Sequence, residues 1–286
     1  MKQRLATLSA EVSLPERNKF TAPLLLIHGL WAGSWMWQNI ATALSLRGWE
    51  CWALDLRGRP DSQSVDNDNG NNDIGKIRLE DDIEDVTTAI QQLWAPPVVW
   101  GADLGALIAL QAAARTIQPA PRALICSAPL LPRSWIPNER PALPLVRLPA
   151  LPALLWGRSL APPRFSMAQE FLFPGFTPAL QEQLHTQLRP GSGTAVRTLT
   201  RGTLKQPESI PHCPLFVVRG ERDRMSSAAA CEWLAAHLQA DQHTYPDLGY
   251  WLYSGPSAIT LVTDVHRWII RALGEPLLVP PDEEDG

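Results

Sequence analysis

Asp103 is the residue of this chain best placed to do chemistry. It lies in Gly101-Ala102-Asp103-Leu104-Gly105, where an apolar run ends and a helical pattern begins at once. A carboxylate on such a tight turn stands exposed at the end of a strand, over a helix N-terminus that favours an anion. The flanking glycines let the backbone and its neighbours approach closely. The same five residues also fit a plain tight turn with Asp103 as the helix cap. Two further polar groups follow apolar runs in the same way. His28-Gly29-Leu30-Trp31 comes after Pro23–Ile27, and Asp223 comes just after Pro214–Gly220.

These groups must be positioned by the elements around them. Short, continuous apolar runs at residues 23–29, 49–55, 97–101, 122–128 and 214–220, with a sixth candidate at 242–246, read as strands buried on both faces. Helical spacing at residues 35–46, 80–94, 104–116, 227–238 and 257–272 separates them. Strands alternating with helices predict an α/β fold with a mainly parallel central sheet and helices on both faces. Two stretches break the alternation. Residues 61–75 are rich in Asn, Asp, Gly and Ser and read as a surface loop. Residues 127–207 hold 13 of the 27 prolines and no Val/Ile-type strand, which predicts an inserted helical cap. The expected division is a core of residues 1–126 and 208–274, the cap, and a flexible acidic tail at 275–286.

Composition excludes several classes. With 286 residues, 45% apolar residues and a net charge of −4, the chain has a globular composition and lacks the basic excess that nucleic acid demands. Cys51, Cys126, Cys213 and Cys231 are too scattered for a zinc site or a disulfide framework, so no metal and no cofactor is expected. No apolar run is long enough to span a bilayer, and Glu11 and Glu16 interrupt the N-terminal stretch, so the expected location is the cytoplasm.

In their chain order, the His-Gly loop, the turn around Asp103 and the late acid Asp223 resemble the α/β-hydrolase superfamily. The phrases LIHGLWAGSWMWQNIATALSLRGWECWALDLRG and PLFVVRGERD carry the likeness, which spans residues 23–126 and 208–273. The resemblance implies that Asp103 occupies the nucleophile position, that Leu30 and Leu104 offer backbone N–H groups to an oxyanion hole, and that His28, Trp31 and Trp251 line the pocket. An Asp at this position is found in haloalkane dehalogenases and epoxide hydrolases, where the carboxylate forms an alkyl ester that an activated water then cleaves. This chain departs from both. Trp31 stands where epoxide hydrolases carry proline, Leu104 where haloalkane dehalogenases carry tryptophan, and Tyr250, in Asp247-Leu248-Gly249-Tyr250-Trp251, where the family carries its catalytic histidine.

A phenol with an ordinary pKa near 10 is ionised in about one molecule in a thousand at neutral pH, so using it as a base costs about 4 kcal/mol. Tyr250 is therefore expected to donate a hydrogen bond to Asp223. Among the other histidines, His185 in the cap is the one with a route into the cleft. The cap also carries nine basic residues against three acidic ones, leaving −10 for the rest of the chain. Interleaved with Trp and Phe, these cations suit an apolar ligand with an anionic group or an anionic membrane surface; they equally suit a leucine-rich lid kept soluble by its arginines. Two functions follow. One is an α/β-hydrolase-like enzyme with an altered triad, Asp103, Asp223 and Tyr250, acting in a capped pocket on a small apolar substrate, with or without an anionic group. The other is a homologue without turnover that binds a ligand or a partner.

Overall fold

The computed structural model describes residues 1–59, 62, 73–116, 118–136, 151–209 and 211–279. Its centre is an eight-stranded sheet of order β1-β2-β4-β3-β5-β6-β9-β10. The predicted runs form β3 (Leu24–Ile27), β4 (Cys51–Asp55), β5 (Val98–Ala102), β6 (Ala123–Ser127), β9 (Leu215–Gly220) and β10 (Asp241–Tyr245), all parallel. Every residue of β3, β5, β6 and β9 is buried, as strands covered on both faces require.

Two strands lie outside the predicted set. β1 (Lys2–Leu5) and β2 (Leu8–Ser13) form a hairpin whose second strand runs antiparallel to β4, pairing Ser9 with Asp55. β2 alternates apolar and polar residues, Leu-Ser-Ala-Glu-Val-Ser, and β1 is polar up to Leu5, because an edge hairpin needs apolar side chains on one face alone.

The helices are α1 (Gln38–Ser45), α2 (Leu79–Gln92), α3 (Leu104–Arg115), α8 (Ala228–Leu238) and α9 (Gly255–Leu273), with a 3-10 turn at Ser34–Trp37 leading into α1. α1 packs on α9 and α2 on α3. α3 sits so close to β5 that a side chain at Gly101 would collide with the Gly105 carbonyl, and one at Gly105 with the carbonyls of Ile27 and His28. The glycines around Asp103 are thus packing contacts between strand, helix and neighbouring loop.

After β3 the chain turns to β4 on one side and later returns to β5 on the other. The carboxyl ends of β3 and β5 therefore border a topological switch point, where an open parallel sheet leaves a crevice. Leu30 and Asp103 follow these two strands.

Between β6 and β9 the chain forms α4 (Leu151–Trp156), β7 (Ser159–Leu160), α5 (Phe165–Phe171), α6 (Pro178–Gln187), β8 (Gly191–Ser192) and α7 (Gly193–Arg201). The β7–β8 pair is a strand element where none was expected; at two residues a side it is too short to leave an apolar run. This segment lies over the loops that leave the sheet. Trp31 Nε1 donates to the Leu160 carbonyl (3.2 Å), Arg189 N donates to the Trp31 carbonyl (2.8 Å), and Ser192 Oγ donates to the Ile77 carbonyl (2.6 Å). Proline starts α6 at its first turn, after Thr177.

Most of the 61–75 loop falls outside the described residues. The tail expectation needs correction at its start. Leu277 is fully buried, its carbonyl accepts from Thr21 N (2.8 Å), and Val279 N donates to the Lys19 carbonyl (2.9 Å), so residues 275–279 are pinned to the N-terminal segment.

Candidate functional site

Asp103 joins β5 to α3 with φ 58° and ψ −120°, a backbone conformation costly for a residue bearing a Cβ. The strain is held in place by the Asp103 N–H, which donates to the Ser127 carbonyl (2.9 Å), and by the packing of Gly101 and Gly105. It turns the carboxylate toward the loop after β3. There Oδ2 accepts from the Leu30 N–H (2.8 Å) and from the Tyr250 hydroxyl. Oδ1 is buried and has no hydrogen-bond partner within the protein.

The carboxyl group is 2% exposed as a residue, and burial pushes its pKa up to about 7 against the opposing pull of Tyr250, Leu30 and the Leu104 amide. The nearby charge of Asp223 adds to the rise. Both amides expected to form an oxyanion hole thus act on the Asp103 side chain itself.

Tyr250 is buried and bonds to Asp103; the expected bond to Asp223 is not formed. Burial and the Asp103 charge push its phenol well above the ordinary value, so it is a proton donor at this site and not a base. Asp223 is held by its own turn after β9. Its Oδ1 accepts from the backbone N–H groups of Met225 (2.7 Å) and Ser226 (3.0 Å), while Oδ2 is buried without a protein partner. Burial raises its pKa to about 7, against those two amides and the charge of Arg219.

The histidines do other work. His28 Nε2 accepts from Leu56 N (3.1 Å), which leaves Nδ1 as the donor to the Gly29 carbonyl (2.9 Å). Burial first, then the charge of Arg59, lowers its pKa to about 3, so His28 is a neutral tie between the loops after β3 and β4. His185 does not reach into the cleft: its Nε2 bonds to the Pro163 carbonyl (2.9 Å) and its ring meets Phe165 edge-on. His266 accepts from Trp49 Nε1, His237 stacks on Trp233, and His243 packs edge-on against Tyr245. Among the described residues no imidazole bonds to Asp103.

Of the expected pocket residues, Trp31 is buried beneath Leu160, and Trp251 is buried between Trp35 (5.5 Å between centroids) and Phe173 (5.2 Å). Two residues that sequence reasoning missed lie nearby. Tyr253 is buried against Trp37, and burial first, then the charges of Asp103 and Asp223, raise its phenol pKa. Its spacing from Tyr250 was a weak signal. Arg59, in the loop after β4, is 8% exposed and donates from Nη1 to the Pro190 carbonyl (2.5 Å). With Leu30, Leu104, Asp82 and Ser192 it lines a cavity of about 30 Å³. Asp82 is pushed up to about 8, mainly by burial.

Of the described basic residues of the 127–207 segment, all but the half-buried Arg197 face outward. Arg133, Arg158, Arg164, Arg189, Arg201 and Lys205 are exposed, which agrees with a solubilising or surface role better than with an anion-binding lining. Arg140 and Arg147 lie outside the described residues. Among the described residues no group of His, Cys, Asp and Glu is arranged to hold a metal ion, and no helix is long and apolar enough to cross a membrane.

A sequence profile described as the alpha/beta hydrolase family matches residues 24–260. The chain belongs to that family. Solved structures agree on the fold of this alpha/beta hydrolase family member. A thermophilic esterase from Thermogutta terrifontis superposes with TM-score 0.65 at 18% identity, covering 96% of this chain and 100% of the esterase. A soluble variant of monoglyceride lipase from Saccharomyces cerevisiae gives 0.68 at 16% identity, with 95% and 94% covered. An N-acyl homoserine lactonase gives 0.66 at 18%, with 95% and 96% covered. Identities this low establish the shared fold alone. No curated protein matches the chain.

Proposed function

We propose that this alpha/beta hydrolase family member uses Asp103 as a carboxylate nucleophile toward a small apolar electrophile received beneath the 127–207 cap. The observation that carries the reading is the asymmetry of the carboxylate. Oδ2 is held by Leu30 and Tyr250, whereas Oδ1 has no partner and keeps its lone pairs for attack. In the step envisaged, Oδ1 forms a bond to a saturated carbon and the leaving group departs with the bonding electron pair, giving an alkyl ester on Asp103. Water attack on that ester needs a base. Tyr250 cannot serve as one at neutral pH, so the ester is long-lived and Tyr250 and Asp223 complete an altered triad.

One observation favours the second function, a binding protein without turnover. An ordinary ester substrate needs the Leu30 N–H for its oxyanion, and here the protein's own carboxylate accepts from it. The two readings separate by intact-protein mass spectrometry after incubation with 1-bromohexane or 1,2-epoxyhexane. The enzyme reading expects a stoichiometric adduct on the peptide containing Asp103, absent from Asp103→Asn. No adduct from either reagent favours the binding protein.

A further inference from the structure

We infer that the outer face formed by α4, α7 and the turn at Arg133–Trp135 docks on an anionic phospholipid bilayer. The inference does not depend on the proposed chemistry of Asp103. Leu155 and Trp156, at the end of α4, are 52% and 66% exposed, although most large apolar side chains of the described chain are buried. Cations surround them. The Arg158 guanidinium lies 5.9 Å from the centre of the Trp156 ring, and Arg197 reaches across from α7 to donate to the carbonyls of Leu154 (3.3 Å) and Leu155 (3.2 Å). Arg201 follows Arg197 by one helical turn on the same face, and Arg133 lies beside it where Gly202 packs on Ser134. Among the described residues none of these four arginines forms an ion pair, although Arg57, Arg78, Arg115, Arg222 and Arg224 all do.

Exposed indole and leucine beside unpaired guanidinium groups match a bilayer interface. There the ring lies at headgroup level, the aliphatic side chain enters the acyl boundary, and the cations meet phosphate. The charge distribution orients the molecule. The 127–207 segment, to which this face belongs, carries +6 and the remainder −10, so an anionic surface attracts the segment and repels the rest of the chain. A nucleic acid or an acidic protein would use the cations but leave Leu155 without a role.

The test is co-sedimentation of the full chain with vesicles of phosphatidylcholine alone, or containing about 30 mol % phosphatidylglycerol. Binding is expected to the anionic vesicles and to weaken on raising salt from about 0.05 to about 0.5 M. The double variant Arg158→Glu/Arg201→Glu should weaken the partition coefficient by about tenfold or more, since each arginine near an anionic surface is worth roughly a fivefold factor. Trp156→Ser should weaken it several-fold. Both changes are at exposed side chains, and circular dichroism checks the fold. Trp94→Ser, at a Trp 55% exposed elsewhere on the surface, should bind as the parent does. No binding to anionic vesicles, equal binding to neutral ones, loss caused by Trp94→Ser, or retention on heparin without vesicle binding would each overturn the inference. None of these outcomes bears on adduct formation at Asp103, so the two readings stand or fall separately.

Discussion

The Tyr250 hydroxyl donates to Asp103 Oδ2, the oxygen that also accepts from the Leu30 N–H, so the hydrogen bonds from two separate loops fall on one oxygen, while the Leu104 amide of the same turn adds its own pull on the carboxylate. Where the resemblance places a proton acceptor, this chain has a proton donor to Asp103. The consequence is electrostatic: Tyr250 supplies the largest of the effects that hold the Asp103 pKa down against burial.

Replacing Tyr250→Phe removes that donor while keeping the ring. A hydrogen bond to a charged group is worth about 1.5–3 kcal/mol, or roughly one to two pH units. The Asp103 midpoint should therefore move upward from about 7, and the pH profile of alkylation should move with it. A profile that stays in place or moves down would show that Tyr250 does not stabilise the carboxylate.

Burial of Asp103 also sets a pH dependence of stability. Its folded pKa, about 7, lies above the ordinary value of 3.8. Below pH 4 both the folded and the unfolded chain hold the proton, and the group costs nothing. Between pH 4 and 7 the unfolded chain ionises first, so stability falls as pH rises and levels off above the folded pKa. Asp103→Asn removes the cost and should be more stable than the parent at about pH 8, on the order of 2–4 kcal/mol, with the gain vanishing near pH 4. Urea unfolding at the two pH values measures it. A gain that is equal at both would place the effect in packing.

The turn at Asp103 was legible because its requirements are local. Two glycines at fixed spacing, an apolar strand before them and a helix after them leave few conformations. The partner of Tyr250 was not legible. Asp103 and Asp223 both lie at the carboxyl edge of the sheet, and the choice between them depends on how the loop after β10 turns, which chain order does not encode. Arg59 was overlooked for a related reason. A charged residue between Gly58 and Pro60 reads as solvated, and its burial follows only when the segment between β6 and β9 folds over it. The hairpin β1–β2 carries no continuous apolar run, because β1 is polar up to Leu5 and β2 alternates.

Arg59 ties the loop after β4 to the Pro190 carbonyl beside β8. Arg59→Met keeps the stem and loses the bond. It should increase amide exchange of residues 188–195 by about fivefold, as expected for losing a bond worth roughly 1 kcal/mol, with little change in the exchange of β5 and β6. Exchange raised equally throughout would mean that Arg59 stabilises the whole core, and unchanged exchange would mean that the tie does not hold the segment.

Asp223 Oδ2 is buried without a protein partner, and an imidazole at position 250 offers a ring N–H that this oxygen can accept. Tyr250→His also removes the donor from Asp103 Oδ2, which makes the carboxylate more basic and its attack no weaker per ionised molecule. If Asp103 forms an alkyl ester, the variant should hydrolyse it, turning a single labelling event into multiple turnovers of 1,2-epoxyhexane that gas chromatography can follow as diol. General-base assistance contributes about 10²–10⁴-fold to such a step, so the adduct that persists in the parent should decay in the variant by at least a hundredfold. Adding Asp223→Asn should take away most of that gain, because the imidazole loses the group that sets its tautomer and supports its positive charge. Persistence of the ester in Tyr250→His would mean that water cannot reach it beneath the segment between β6 and β9, and would assign Asp103 to covalent capture instead of turnover.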